Sequence, residues 1–156
     1  LLTGETLSYV LSNLLDPKAG GDANLPILVM GDFNDEPFHR SMREYLLGTR
    51  DRGRVMRSRS PRLLNLMWPP MAQKDPGTYR FGSDWNMLDQ FLVSKGMLRK
   101  NSSIQVLRDS VDIFRPEEMV GSGGAPRRFG RPSKKSSFDE SGFSDHYPIT
   151  VQLEAR

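Results

Sequence analysis

The sequence predicts an α/β (α+β) domain in which short strands and amphipathic helices share one hydrophobic core. Three patterns predict this class: apolar residues at helical spacing near the N-terminus, a continuous apolar run at 25–30, and apolar alternation at 147–153. The chain has 156 residues, 37% hydrophobic and 26% charged, which suits one domain with a sizeable core. No apolar run reaches the roughly 18 residues of a membrane-spanning helix, so we expect no transmembrane segment.

The first part of the chain predicts a helix, a strand and a second helix. Leu7, Leu11 and their apolar neighbours recur at helical spacing over residues 3–16. The apolar run at 25–30 is typical of a strand buried on both faces. Acidic residues and Pro37 then predict a helix of about ten residues that ends near Gly48.

The rest of the chain predicts four more strands, separated by two long loops. The strands are expected at residues 78–81, 85–94, 104–107 and 147–153, and the loops at 50–76 and 114–143. The first loop is rich in Arg, Pro and Met and has room for a short helix. The second contains Gly-, Ser- and Lys-rich stretches that predict a long irregular segment.

Charge and cysteine content constrain the partners only loosely. The net charge is +3 and the pI is near 9.4, which is compatible with a phosphate-bearing ligand but does not require one. The absence of cysteine excludes a disulfide framework and a thiolate metal site. Two basic groups are either solvated loops or the rim of an anion site. They are Arg50, Arg52, Arg54, Arg57, Arg59 and Arg62, and Arg127, Arg128, Arg131, Lys134 and Lys135.

Polar side chains accompany three of the predicted strands. Asp32 and Asn34 follow the first, Asp89 lies inside the second, and Asp145 and His146 precede the third. An unpaired buried carboxylate is costly, so the joint pattern indicates that these acids converge on a metal, a histidine or a phosphate-handling site. Each acid also has a simpler interpretation, as a turn residue, a hydrogen-bonded core acid or part of a loop.

The residues around these positions resemble one enzyme family. The sequence GDFN at 31–34 with Pro37, LDQFLVS at 88–94 and SDHYPI at 144–149 are similar, in order, to motifs of the endonuclease/exonuclease/phosphatase family. These are the DNase I-like, metal-dependent phosphoesterases, and the GTY sequence at 77–79 resembles a further element of bacterial members. The resemblance implies a β-sandwich of two mixed sheets flanked by helices, of which this chain contains about the C-terminal half.

The resemblance also implies a role for each polar residue. Asp32 would orient or deprotonate the attacking water, and Asn34 would donate to a phosphoryl oxygen. His146 would contact the phosphate, and Asp89 would accept a hydrogen bond from its other ring nitrogen. Asp145 would help to hold the metal. Oxygen ligands of this kind fit Mg²⁺ or Mn²⁺.

Some parts of the family's site have no counterpart in this sequence. The principal metal-binding Glu cannot be assigned, since Glu5 lies in a predicted helix, and His39 is expected to be a surface residue. Residues 1–156 are therefore expected to be the C-terminal portion of one domain without its N-terminal portion, unstable and inactive alone. The resemblance implies a phosphate-ester substrate, either a nucleic acid, a lipid headgroup or a sugar phosphate, and the localisation is undetermined.

Two alternatives stay open. The first is a family member that has lost catalysis. The second is a basic nucleic-acid-binding module that uses the arginines between Arg50 and Arg62, although that stretch lacks interleaved aromatic residues. Trp68 and Trp85 are expected to be packing residues.

Overall fold

Short strands and a few helices make up the regular structure of the described residues, 2–130 and 138–156, in a computed structural model. The helices are α1 (Leu2–Leu15), α2 (Arg52–Arg57) and a π-helical turn at Ser41–Tyr45. The strands are β1 (Leu28–Asp32), β2 (Gly48–Thr49), β3 (Leu63–Asn65), β4 (Tyr79–Phe81), β5 (Asp84–Asn86), β6 (Asp89–Val93), β7 (Ile104–Val106), β8 (Asp112–Ile113), β9 (Ile149–Thr150) and β10 (Leu153–Ala155). The predicted α+β class is confirmed.

The largest sheet of the described residues has four strands in the order β1-β6-β3-β2. Strand β6 is antiparallel to both β1 and β3, and β2 is parallel to β3. Strands β1, β2 and β3 therefore run in one direction. Their C-terminal ends lie at the same edge of the sheet as the N-terminal end of β6, and that edge carries the candidate site. The remaining strands pair as β10-β7, β4-β5 and β8-β9.

Strand β6 is the centre of the core because it has a neighbour on each side. Consecutive side chains of a strand point to opposite faces, so Leu92 packs against α1 and the π-helical turn while Val93 packs on the other face. Leu11 and Leu15 of α1 are buried against the first face. Phe91 joins a further cluster that contains Tyr147. Packing on both faces fixes the position of the residues at the start of β6.

The predicted first helix is confirmed, with observed bounds of Leu2–Leu15. The prediction of a ten-residue helix after Pro37 is wrong, since only the turn at Ser41–Tyr45 forms. A close backbone approach explains the early end. A Cβ at Gly48 would lie 2.7 Å from the carbonyl oxygen of Met42, so the chain already returns to the sheet at Gly48.

The predicted burial of the first strand is also wrong. Strand β1 begins at Leu28 and is an edge strand, paired only with β6 among the described strands. Met30 on this strand is 67% exposed. Leu28 and Val29 pack against the core clusters, whereas the end of the strand from Met30 to Asp32 is exposed.

Two predicted strands are each divided in two. The run at 85–94 forms β5 and β6 with a break at Met87 and Leu88, and the run at 147–153 forms β9 and β10. Each half pairs with a different partner strand. The predicted strands at 78–81 and 104–107 are confirmed as β4 and β7.

The two predicted loops differ in outcome. The segment 50–76 contains α2, as expected, but also β3, which sequence patterns missed because three residues are too few to show a period. The described part of 114–143 contains only short 3₁₀ turns, at Glu117–Met119 and Ser122–Gly124. Arg131, Lys134 and Lys135 lie outside the described residues. No helix in the described ranges is long and apolar enough to cross a membrane.

Candidate active site

Asp32 organises the turn that follows β1. Its Oδ1 accepts a hydrogen bond from the Asn34 amide at 2.8 Å, and its Oδ2 lies 3.4 Å from Asn34 Nδ2. Asn34 has a φ of 51°, and Gly31, before the turn, has a φ of 148°. Asn and Gly are the residues that adopt such positive angles most readily. The GDFN sequence therefore serves a local structural need and presents Asp32 and Asn34 together on an exposed turn.

Asp32 and Asp89 lie directly opposite each other on neighbouring strands. They are register partners in the antiparallel β1-β6 pair. Residues in that relation have Cβ atoms about 4.5–5.5 Å apart, and like charges there are destabilising. The arrangement favours a cationic or protonated partner close to the two carboxylates.

His146 supplies one such partner. Its Nδ1 lies 2.7 Å from Asp89 Oδ2, and the two side chains are 22% and 19% exposed. An ionised carboxylate can only accept, so Nδ1 carries the proton in this pair. Nε2 is then the ring nitrogen available to a ligand. The Tyr79 ring lies beside the imidazole, with ring centroids 4.9 Å apart.

Thr78 connects the segments that carry Asp89 and His146. It is fully buried, and its Oγ1 accepts from the amides of Leu88 at 3.3 Å and Asp89 at 3.2 Å. Its carbonyl oxygen accepts from the Tyr147 amide at 2.7 Å. Sequence patterns marked this position as part of the GTY element without assigning it a role. The glycine at position 77 was the available sign of a close backbone approach, because a Cβ there would lie 2.7 Å from the Asn86 backbone.

A buried chain of amide hydrogen bonds supports the turn from below. Asn65 Nδ2 donates to Gln90 Oε1 at 2.6 Å, and Gln90 Nε2 donates to the carbonyl oxygen of Asp35. Asn65 Oδ1 accepts from the Met67 amide at 2.9 Å. Gln90 was not among the candidate residues, although a polar residue inside the apolar run of β6 was the available signal. The chain fixes the segment after Asn34 to the centre of the sheet.

Two more contacts hold the same segment. Asn86 Nδ2 donates to the buried Glu36 at 3.0 Å. His39 is exposed, as expected, and its Nδ1 lies 2.8 Å from Asp35 Oδ1. The segment after Asn34 is therefore fixed on both its buried and its exposed side.

Asp145 is placed differently from the other candidates. It is exposed and makes no hydrogen bond or ion pair with any described residue. Within 2–130 and 138–156, no three His, Cys, Asp or Glu side chains are grouped so that they could hold a metal ion. Glu5 lies exposed in the first turn of α1. The exposed carboxylate of Asp145 is an oxygen donor of the kind that Mg²⁺ accepts, since this ion commonly takes one or two protein carboxylates and keeps its waters.

Comparison with known proteins gives one result. The family model described as the endonuclease/exonuclease/phosphatase family matches residues 6–155. No curated protein and no solved structure matches the chain significantly. The matched range includes Asp32, Asn34, Asp89, Asp145 and His146. With an α+β fold that is consistent with a DNase I-like architecture, the chain belongs to the endonuclease/exonuclease/phosphatase family.

Proposed function

We propose that this chain carries part of the active site of a divalent-metal-dependent phosphoester hydrolase, in which water attacks phosphorus in line. Family membership supports a phosphoester hydrolase in general. The observation that carries the finer proposal is the His146–Asp89 pair at 2.7 Å, with Asp32 opposite Asp89 across the β1-β6 pair. In this proposal Asp32 is the base, His146 is the group that contacts the phosphate, and Asp89 is the carboxylate that orients His146.

Each side chain has a separate role in the proposal. Asp32 orients the attacking water and accepts its proton. Asn34, held 2.8 Å from Asp32 through its backbone, donates its amide N–H to a phosphoryl oxygen. His146 contacts the phosphate through Nε2, and Asp89 accepts the hydrogen bond from Nδ1 that fixes the orientation of the ring. Asp89 is thus a positioning residue for His146.

The proposed metal is Mg²⁺ or Mn²⁺. When bound, it offsets the negative charge that develops on the phosphoryl oxygens. Asp145 supplies an oxygen ligand of the type that these ions prefer. The exposure of Asp145, and its lack of a hydrogen bond or ion pair in the described ranges, leave its carboxylate free for this role.

We further propose that residues 1–156 form the C-terminal portion of the catalytic domain. Two observations support this. Met30 on the edge strand β1 is 67% exposed, and the described residues contain no cluster of three metal-binding side chains. A preceding portion of the same domain would cover the open face and add the remaining metal ligand. The isolated 156-residue chain is then inactive.

The test is hydrolysis of bis-p-nitrophenyl phosphate and plasmid DNA by the full-length protein, with Mg²⁺ or Mn²⁺ and with EDTA. Asp32→Ala and His146→Ala are the site variants, and His39→Ala is the matched histidine control. Turnover that needs metal, survives in His39→Ala and is lost in both site variants supports the proposal. Turnover that persists in EDTA or in His146→Ala contradicts it. Equal turnover by the 156-residue chain alone contradicts the proposal that it is a portion of the domain.

A further inference from the structure

The arginines that follow β2 are brought together with an aromatic residue that is distant in sequence. Arg43, Arg50, Arg54 and Arg62 line a cleft of about 510 Å³, together with Trp68. The Arg50 guanidinium lies over the Trp68 ring, 5.6 Å from its centroid. The sequence between Arg50 and Arg62 lacks an interleaved aromatic residue, and the fold supplies one from the turn after β3.

The cleft keeps a net positive charge, since four arginines and two acids line it. The four guanidinium groups make no hydrogen bond or ion pair with any residue in the described ranges. Both acids of the lining are already engaged: Asp51 Oδ1 accepts from the Arg54 amide at 2.9 Å, and Glu44 pairs with Arg40. By contrast, Arg127 is neutralised by Asp139 at 2.8 Å. The guanidinium N–H groups of the cleft are therefore available to donate hydrogen bonds to an anion with several charges.

The cleft runs along β2, and its part formed by Arg50 and Trp68 lies toward the sheet edge that carries the candidate active site. Arg50 follows the C-terminal end of β2, Trp68 lies in the turn after β3, and Asp32 ends β1. These three strands run in one direction, and β1 and β3 are separated only by β6. Strand β3, before Trp68, lies two strand spacings from β1, roughly 10 Å, and strand β2, before Arg50, lies three, roughly 14 Å. A ligand that extends along this edge would reach both places.

The residue types that line the cleft indicate which class of polyanion it would bind. Besides the charged residues, the cleft is lined by Gly48, Thr49 and Trp68, so the Trp68 ring is its main apolar contact surface. Arginine clusters beside an aromatic ring are the components of sites for single-stranded nucleic acid, where the bases stack and the backbone meets the guanidinium groups. Paired bases in a duplex are not free to stack on a ring in a cleft.

We propose that the cleft of Arg43, Arg50, Arg54, Arg62 and Trp68 binds a single-stranded polynucleotide segment, away from the phosphate held at His146. The cleft's role as a substrate subsite rests on the proposed function. Binding itself does not, because it requires neither metal nor turnover.

The test is fluorescence anisotropy with a labelled oligothymidylate and the full-length protein in EDTA, which separates binding from hydrolysis. Arg50→Gln/Arg54→Gln is the cleft variant. Arg57→Gln/Arg59→Gln is its control, since it removes the same charge from the same segment outside the cleft. We expect the cleft variant to bind at least about tenfold more weakly and to lower the slope of log affinity against log salt by about 1.4, at about 0.7 per phosphate contact.

Trp68→Leu and Trp68→Phe test stacking apart from charge. Loss of one stacked base weakens binding by about tenfold, and a phenyl ring restores part of it. Equal weakening by both arginine pairs would overturn the proposal, as would duplex DNA that binds as tightly as the single strand. So would binding of inositol hexakisphosphate without binding of the oligonucleotide. Oligonucleotide binding without hydrolysis of any substrate would support the proposed binding role of the cleft and contradict the proposed hydrolase function.

Discussion

Thr78 and Asp89 are joined by a hydrogen bond in which the threonine hydroxyl accepts from the aspartate amide at 3.2 Å. The same hydroxyl accepts from the Leu88 amide, and the Thr78 carbonyl oxygen accepts from the Tyr147 amide. One buried residue therefore sets the distance between the strand that starts with Asp89 and the segment that ends with His146. The proposed active-site pair, His146 and Asp89, therefore depends on a residue to which the proposal gives no contact with the substrate.

Replacing Thr78 should disturb both stability and the histidine pair. Thr78→Val leaves two buried amides without an acceptor, which costs about 1–3 kcal/mol per unsatisfied group in the free energy of unfolding. Thr78→Ser keeps the hydroxyl and is the matched control. Urea denaturation measures the difference. If Val and Ser variants are equally stable, the hydroxyl does not have the role assigned to it.

Asp89→Asn should change the tautomer of His146. With a carboxylate at 2.7 Å, the proton is held on Nδ1. The amide can present its N–H instead, so the proton moves in part to Nε2. Ring ¹⁵N chemical shifts report the change directly. The sequence contains two histidines, so His39→Gln assigns the signals and serves as the control.

The same Asp89→Asn substitution should slow hydrolysis by about 10²- to 10⁴-fold in the full-length protein, the range for loss of a correctly held acid–base group. The decrease should fall on kcat more than on KM, since Asp89 acts through His146 rather than on the substrate. A change confined to KM would assign Asp89 to substrate binding instead.

The buried amide chain should show strong coupling. Gln90→Leu removes the acceptor of Asn65 Nδ2 and leaves a buried donor unpaired, at a cost of about 1–3 kcal/mol. Adding Asn65→Leu removes that donor, so the double variant should lose less stability than the sum of the single variants. Urea denaturation of the full cycle gives the coupling energy. Additive losses would show that the two side chains act independently.

Asp145→Asn should weaken the response to metal. If this carboxylate holds the ion, the Mg²⁺ concentration needed for half-maximal turnover rises by at least about tenfold. Asp112→Asn is the charge-matched control, because Asp112 is an exposed acid on β8. An unchanged metal response in Asp145→Asn would remove this residue from the proposed metal site.

Acid sensitivity should depend on the Arg127–Asp139 pair. The hydrogen bond from Arg127 holds the pKa of the Asp139 carboxyl below its usual range, and Ser141 acts in the same direction. A lowered folded-state pKa stabilises the fold above the unfolded value of about 3.9, and this contribution is lost as the pH falls through the folded-state pKa. Asp139→Asn should therefore be less sensitive to pH on the acid limb of unfolding. Arg127→Gln should give the same flattening, and an unaltered acid limb in both variants would contradict this.

The parts of the fold that could be predicted from sequence are those with a long periodic pattern or with residue types that favour one local conformation. Helix α1 has several turns of apolar spacing, and its prediction is confirmed. The GDFN turn contains a glycine and an asparagine that both adopt positive φ, so these residue types alone predict a turn at this position. Both signals are local and need no knowledge of the partners.

The parts that failed depend on neighbours distant in sequence. Strand β1 was predicted to be buried because its residues are apolar, but its position at the sheet edge is a property of topology. The division between β5 and β6 depends on contacts with Thr78. The contact of Gln90 with Asn65 arises only when β3 is placed beside β6, and that of Trp68 with Arg50 only when β3 is placed beside β2. A strand of three residues gave no period by which to place it.

The edge position of strand β1 has a consequence for local unfolding near Asp32 and Asp89. Asp32 lies on an edge strand with an open face, whereas Asp89 begins the most enclosed strand of the described sheet. Local opening should therefore release the amides of β1 to hydrogen exchange well before those of β6. Warming of the 156-residue chain would therefore separate the two carboxylates while its core remains folded.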